Sequence, residues 1–171
     1  MKKLKILNKE RLNTLKKLWN FLQQIDIDVK YLYDIPSCLL PMKRLNLPPY
    51  QYTARDVTSG LVFFSFAYEF SMTNSLHFLN YLVRFLSSFN IDLSKITIQT
   101  DNGVEFIGNF NAKELSAFTL TCMQYNINHS TIPPGAHRFQ ADVETFHNLE
   151  EFEFFEIENF YSLQDFLDKA Y

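Results

Sequence analysis

Between Lys95 and Phe106 the chain carries a short strand that ends on a carboxylate. Ile96 and Ile98 alternate with Thr97 and Gln99, the two-residue period of a half-buried strand, and Asn102-Gly103 supplies the turn chemistry that stops it. Asp101 is therefore expected at the edge of a sheet, facing a cleft. The same three residues, Asp101-Asn102-Gly103, also read as a plain tight turn, because Asp and Asn bond their own backbone and Gly tolerates positive φ. The residues upstream and downstream decide between the two readings.

A chain of 171 residues, 47% hydrophobic and 20% charged, is one domain's worth of soluble globular material. Eighteen Phe and nine Tyr against four Gly indicate an aromatic-rich core rather than a loop-dominated or low-complexity chain. The net charge of −3 sits awkwardly with nucleic-acid binding, since phosphate affinity comes mainly from Lys and Arg. If DNA is the substrate, most of the basic surface lies elsewhere. Cys38 and Cys122 fit no zinc or redox spacing and are expected in the core, in a reducing compartment. No apolar run approaches the ~20 residues of a spanning helix, and Met1-Lys2-Lys3 is not followed by a signal-peptide core. A cytoplasmic protein without membrane contact is the expectation.

In chain order, Leu4, Leu7, Leu12, Leu15, Trp19 and Leu22 among lysines predict a helix over residues 2–23 with a basic outer face. Ile25, Ile27 and Val29 then alternate with Asp26, Asp28 and Lys30, a strand with two acids on one face. Geometry alone does not separate Asp26 from Asp28. Two carboxylates buried on one face are costly without a cation, which hints at a metal or an exposed edge. The proline-bearing stretch 36–49 reads as a long connection. Residues Tyr50–Asp56 and Leu61–Tyr68 form a hairpin turned at Val57–Gly60, with Asp56 a turn-forming acid. A long helix follows over Thr73–Phe89, whose Leu79, Leu82 and Leu86 are expected to bury with Phe63, Ile96 and Ile98. After the strand to Asp101 come a helix over Asn111–Gln124, a strand over Asn126–Ile132 closed by Pro133-Pro134-Gly135, and a helix with Val143, Phe146, Leu149 and Phe154 at helical spacing. Asp142 and Glu144 lie in its first turn, where acids suit the helix dipole. A last helix spans Leu163–Ala170. This order predicts an α/β fold: a central mixed sheet of about five strands, the first three antiparallel, flanked by helices.

Three pieces of the chain, Ile27–Leu32, Gln99–Phe106 and Asp142–His147, together resemble the DDE transposase and retroviral-type integrase superfamily. The resemblance covers residues 24–158 and implies a ribonuclease H-like catalytic core over 24–171, with 1–23 as a linker helix. Tyr50–Asp56 is similar to the second strand of the insertion-sequence transposases in that group, and Asp56 matches an acid with no catalytic part there. The family's catalytic, metal-binding acids fall on Asp28, Asp101 and Glu144. Asp28 is preferred to Asp26 because Val29-Lys30-Tyr31 follows it, and Glu144 to Asp142 because the match Val143-Glu144-Thr145-Phe146-His147 places the family's acid there. Asn102, His147 and Lys30 would support these ligands or contact DNA.

The resemblance further implies a Mg²⁺-dependent polynucleotidyl transferase, with Mn²⁺ able to substitute, that cleaves double-stranded DNA ends and transfers strands for DNA integration, recombination and transposition, assembled on DNA as a homo-oligomer. Mg²⁺ is a hard ion that takes oxygen ligands, and two such ions activate the attacking oxygen and stabilise the leaving one in an in-line displacement. Two departures qualify this. Glu144 lies 43 positions after Asp101, longer than the family's usual spacing, so an insertion is expected between Ile107 and Phe118. No helix-turn-helix region precedes the core and no basic tail follows it, which suggests a catalytic fragment. The other readings are a ribonuclease H-like nuclease, and a degenerate core serving as an interaction module.

Overall fold

The alternation of Ile25, Ile27 and Val29 is realised as β1 (Gln24–Tyr31), the middle strand of one five-stranded sheet. The computed structural model describes residue 14 and residues 18–109, 114–133 and 140–171. β2 (Tyr50–Asp56) and β3 (Val62–Ala67) form the expected hairpin, and β4 (Thr97–Thr100) and β5 (Asn128–Thr131) complete the sheet in the order β3-β2-β1-β4-β5. The first three strands pair antiparallel, while β4 runs parallel to β1 and β5 parallel to β4. This is the mixed, helix-flanked α/β architecture expected from the sequence.

One face of the sheet is apolar. Ile25, Ile27, Tyr52, Ala54, Phe63 and Ile98 bury against Phe78, Leu79, Leu82, Val83 and Leu86 of a long helix, Met72–Ser88. All six residues expected to pack together, Phe63, Leu79, Leu82, Leu86, Ile96 and Ile98, lie in this one cluster. The helix begins where the Ser71 hydroxyl accepts the Asn74 N–H at 3.3 Å, leaving its periodic leucines to face the sheet. A single helical turn, Val104–Ile107, and a helix at Ala117–Gln124 extend the same core through Phe106, Phe118 and the buried Cys122.

A second cluster forms where the sequence suggested only a connection. Pro36–Arg44 is a helix, with Pro36 in its first turn, where a missing N–H costs nothing, and Cys38 and Met42 one turn apart on its buried side. These two residues pack with Leu32, Ile35, Leu47, Phe155, Phe160 and Phe166, and that burial outweighs the helix bond lost at Pro41. Both cysteines are thus buried and free.

The expected N-terminal helix lies mostly outside the described residues. Within them, Thr14 is helical as expected, whereas Leu18–Gln23 form a turn in which Leu22 adopts a φ of 59° and donates its N–H to Asp56 Oδ1 at 3.1 Å. Asp56 also accepts the Ser59 N–H and hydroxyl at 2.9 and 2.6 Å, so it is the turn-forming acid the sequence indicated. The helix expected from Asn111 begins at Ala117 among the described residues, and the Pro134-Gly135 closure falls outside them. The last helix spans Leu163–Ala170 as expected.

In chain order the helices are α1 (Pro36–Arg44), α2 (Met72–Ser88), α3 (Val104–Ile107), α4 (Ala117–Gln124), α5 (Ala141–Glu150) and α6 (Leu163–Ala170). α5 runs on through one wide π-helical turn, Glu151–Phe155. Among the described residues no helix is long and apolar enough to cross a membrane.

Candidate functional site

The second face of the sheet is polar, and α5 covers it. Cross-strand register places Asp26 opposite Arg55, Asp28 opposite Thr53 and Lys30 opposite Gln51, so charged and amide side chains line up on one side of β1 and β2. A helix packed there cannot use a plain apolar stripe. Val143 and His147 are the buried residues of α5, whereas Leu149 is exposed, which corrects the expected stripe of Val143, Phe146, Leu149 and Phe154. The polar partners fix the helix instead. Gln140 Nε2 donates to the Ile27 carbonyl at 3.1 Å, Gln51 Nε2 to Glu150 Oε2 at 2.6 Å, and Lys30 Nζ pairs with Glu151 Oε2 at 2.6 Å. Lys30 is therefore committed to holding α5.

β1 separates its two acids. Asp26 is 1% exposed and its Oδ1 accepts the side-chain amides of Gln24 and Gln99 at 3.1 and 3.4 Å. Asp28 retains 24% side-chain exposure, two residues nearer the strand's C-terminal end. Because Asp26 pairs with Gln99 in the parallel β1–β4 register, Asp101, two residues past Gln99, stands level with Asp28. The Asp101 carboxylate accepts the Gly103 N–H at 2.8 Å, which fixes the turn after β4, and Asn102 Nδ2 donates to the Ile132 carbonyl at 2.9 Å, tying that turn to the end of β5. Glu144 is exposed in the first turn of α5.

The electrostatics show that these acids sense one another. The Asp28 carboxyl is pushed up to about 6, chiefly by burial and further by the negative charges of Asp101 and Glu144; the Val29 backbone N–H and Lys30 act in the opposite sense. His147, 5% exposed, places Nε2 2.9 Å from Thr53 Oγ1 and Nδ1 3.6 Å from Asp28 Oδ2. Burial, with the nearby Lys30 charge, lowers its imidazole to about 4. His147 is thus neutral near pH 7 and meets Asp28 as an uncharged neighbour rather than an ion-pair partner, and it is an interior residue rather than an exposed one.

One acid of the site was not singled out from the sequence. Glu105, on α3, is 4% exposed, and burial together with the charges of Asp101 and Asp28 pushes its carboxyl up to about 7, against the opposing hydrogen bond from its own backbone N–H. Among the described residues its Oε2 has no hydrogen-bond partner. A Cβ at Gly103 would fall on the Glu105 carboxyl, so only glycine lets that side chain lie against the turn. The signal in the sequence is the four-residue step from Asp101 to Glu105, one helical turn if the chain coils directly after Gly103.

The oxygen donor set and the mutual repulsion of Asp28, Asp101 and Glu144 suit a hard divalent cation, and the unpartnered Glu105 oxygen beside them points the same way. Among the described residues no three His, Cys, Asp or Glu side chains stand at ligand distance, so these carboxyls would have to move for three of them to share an ion.

No protein-family model matches the chain, and no curated protein matches it. Among solved structures, the catalytic core domain of BIV integrase is similar to it, with a TM-score of 0.49 and 16% sequence identity. The similarity covers 74% of this chain and 65% of that one.

Proposed function

We propose that residues 24–171 form the catalytic core of a DNA transposase or integrase, cleaving double-stranded DNA ends and joining them to a target with divalent cations held by Asp28, Asp101 and Glu144. The observation that carries this reading is that Asp28 is electrostatically coupled to Asp101 and to Glu144, acids from a first strand, a fourth strand and a late helix. The motifs around them resemble one superfamily in order and spacing. Mg²⁺ or Mn²⁺ bound there would polarise the phosphate and lower the pKa of an attacking hydroxyl. The chain's own groups do the positioning. The β1–β4 register sets the Asp28–Asp101 pair, the Gly103 N–H orients Asp101, and the Lys30–Glu151 and Gln51–Glu150 contacts hold α5 so that Glu144 faces the same end of the sheet. His147, anchored on Thr53 through Nε2, turns Nδ1 toward Asp28.

The partner is double-stranded DNA, with further copies of the chain when assembled on it. A net charge of −3 makes that binding weak and strongly salt-dependent on this chain alone. The test is release of a labelled strand from a double-stranded end in Mg²⁺ or Mn²⁺ at low salt. Wild type is expected to cut, and Asp101→Asn to lose on the order of a hundredfold or more of the rate. Cleavage without joining would favour a ribonuclease H-like nuclease. Cation binding with no cleavage at any salt concentration would favour the interaction module.

A further inference from the structure

Glu105 is a buried carboxyl whose own backbone N–H favours its charged form, while its Oε2 has no hydrogen-bond partner among the described residues. The single turn of α3 drives Phe106 into the apolar core, and in doing so carries Glu105 back beneath the turn that follows β4. Its carboxyl lies against Gly103, the same residue whose N–H holds Asp101 Oδ1 at 2.8 Å, so two acids press on one glycine. The charges that reach Glu105 among the described residues are those of Asp101 and Asp28, both negative. The nearby Tyr52 hydroxyl does not relieve it, being engaged with the Ser71 N–H and the carbonyls of Glu69 and Ser71 at 3.2–3.3 Å. A buried carboxyl oxygen left unpartnered is costly, and a glutamine or leucine of similar size would serve packing better. The cost is removed if a cation sits between Glu105 and its two acidic neighbours.

We propose that Glu105 is a fourth cation-binding carboxylate, completing from inside the fold the divalent-metal site whose outer ligands are Asp28 and Asp101; the carboxyls, which do not stand at ligand distance among the described residues, would close on the ion as it binds. This rests on the reading of those two acids given above. It makes the Asp101–Glu105 step a two-carboxylate clamp, with Gly103 required between them because any side chain there would displace the second arm.

The experiment is calorimetric titration of the full chain with MnCl₂, for wild type, Glu105→Gln, Gly103→Ala and Asp101→Asn. Glu105→Gln keeps the size of the side chain and removes only its charge, and a melting curve without metal confirms that it folds. Expected is a roughly tenfold or greater loss of Mn²⁺ affinity in Glu105→Gln. Gly103→Ala, which leaves the charge but moves the carboxyl, is expected to show a loss in the same direction and serves as the second arm if the glutamine variant does not fold. Wild-type affinity in both variants, with binding lost in Asp101→Asn, would overturn the role of Glu105 and leave the reading of Asp28 and Asp101 standing. No Mn²⁺ binding by wild type would overturn both.

Discussion

At the scale of single residues, the site holds two acids, Asp28 and Glu105, whose charges the folded chain resists. Glu105 keeps its proton to about pH 7 in the fold, whereas in the unfolded chain it ionises near its ordinary 4.5. Below about 4.5 both states are protonated and the group contributes no difference. As pH rises from there to about 7, the unfolded chain releases the proton first, so this group progressively removes stability, on the order of 3 kcal/mol once both states are ionised. Asp28 and Glu150, raised to about 6 and 7, act in the same direction, while His129 and His147, lowered by burial to about 4, add stability between pH 4 and 6.5. The comparison of Glu105→Gln with wild type isolates the one carboxyl. Urea titrations without metal should show the variant gaining on wild type from about pH 5 to about pH 8. A difference that stays flat over that range would mean that Glu105 is solvated. Asp28 shows what a sequence does and does not disclose at this scale. Alternation put Asp26 and Asp28 on one face, but only the neighbouring amides of Gln24 and Gln99, supplied by β1 and by a strand far along the chain, distinguish the enclosed acid from the accessible one.

At the scale of elements, the parts that pack by apolar burial were the ones legible in the sequence. The stripe of Leu79, Leu82 and Leu86 on α2 meets the expected strand face, and Leu82→Ala should cost roughly 2–5 kcal/mol in a denaturant titration, a loss under about 0.5 kcal/mol being incompatible with its place in the core. Two elements were misread for physical reasons. The prolines of α1 suggested a loop, yet Pro36 stands where a helix needs no donor, and the contacts of Cys38 and Met42 come from Phe155, Phe160 and Phe166, distant in sequence. α5 was assigned an apolar stripe because its polar partners are on the sheet, not on the helix. It is held by Lys30–Glu151 and Gln51–Glu150, both partly shielded from water. Lys30→Met leaves Glu151 unpaired and should destabilise α5 by roughly 1–3 kcal/mol, between the values for exposed and buried pairs. Amide exchange should quicken across residues 141–155 while the amides of β1 keep their protection; uniform exchange in both would place the Lys30 contact outside the stability of the helix.

At the scale of the whole molecule, nothing but the sheet order brings Asp28, Asp101 and Glu144 to one place, since they lie on β1, directly after β4, and on α5. The sequence disclosed the candidate acids through motif resemblance and the architecture through periodicity. It did not disclose the burial of Glu105 beside the candidate acids, because a buried acid in a one-turn helix has no periodic signature and takes its meaning from Gly103 and Asp101 in three dimensions. On the proposed reading, the metal-free molecule carries the repulsion among these acids as lost stability, and a cation that bound only the folded form would restore it, more so the larger its excess over the dissociation constant. The most direct measurement is therefore the melting temperature with and without Mn²⁺ for wild type, Asp28→Asn, Asp101→Asn and Glu144→Gln. Wild type should melt higher with Mn²⁺, and each substitution, which removes a charge and little else, should largely abolish the rise. Equal rises in all four proteins would contradict a cation site built from these three acids.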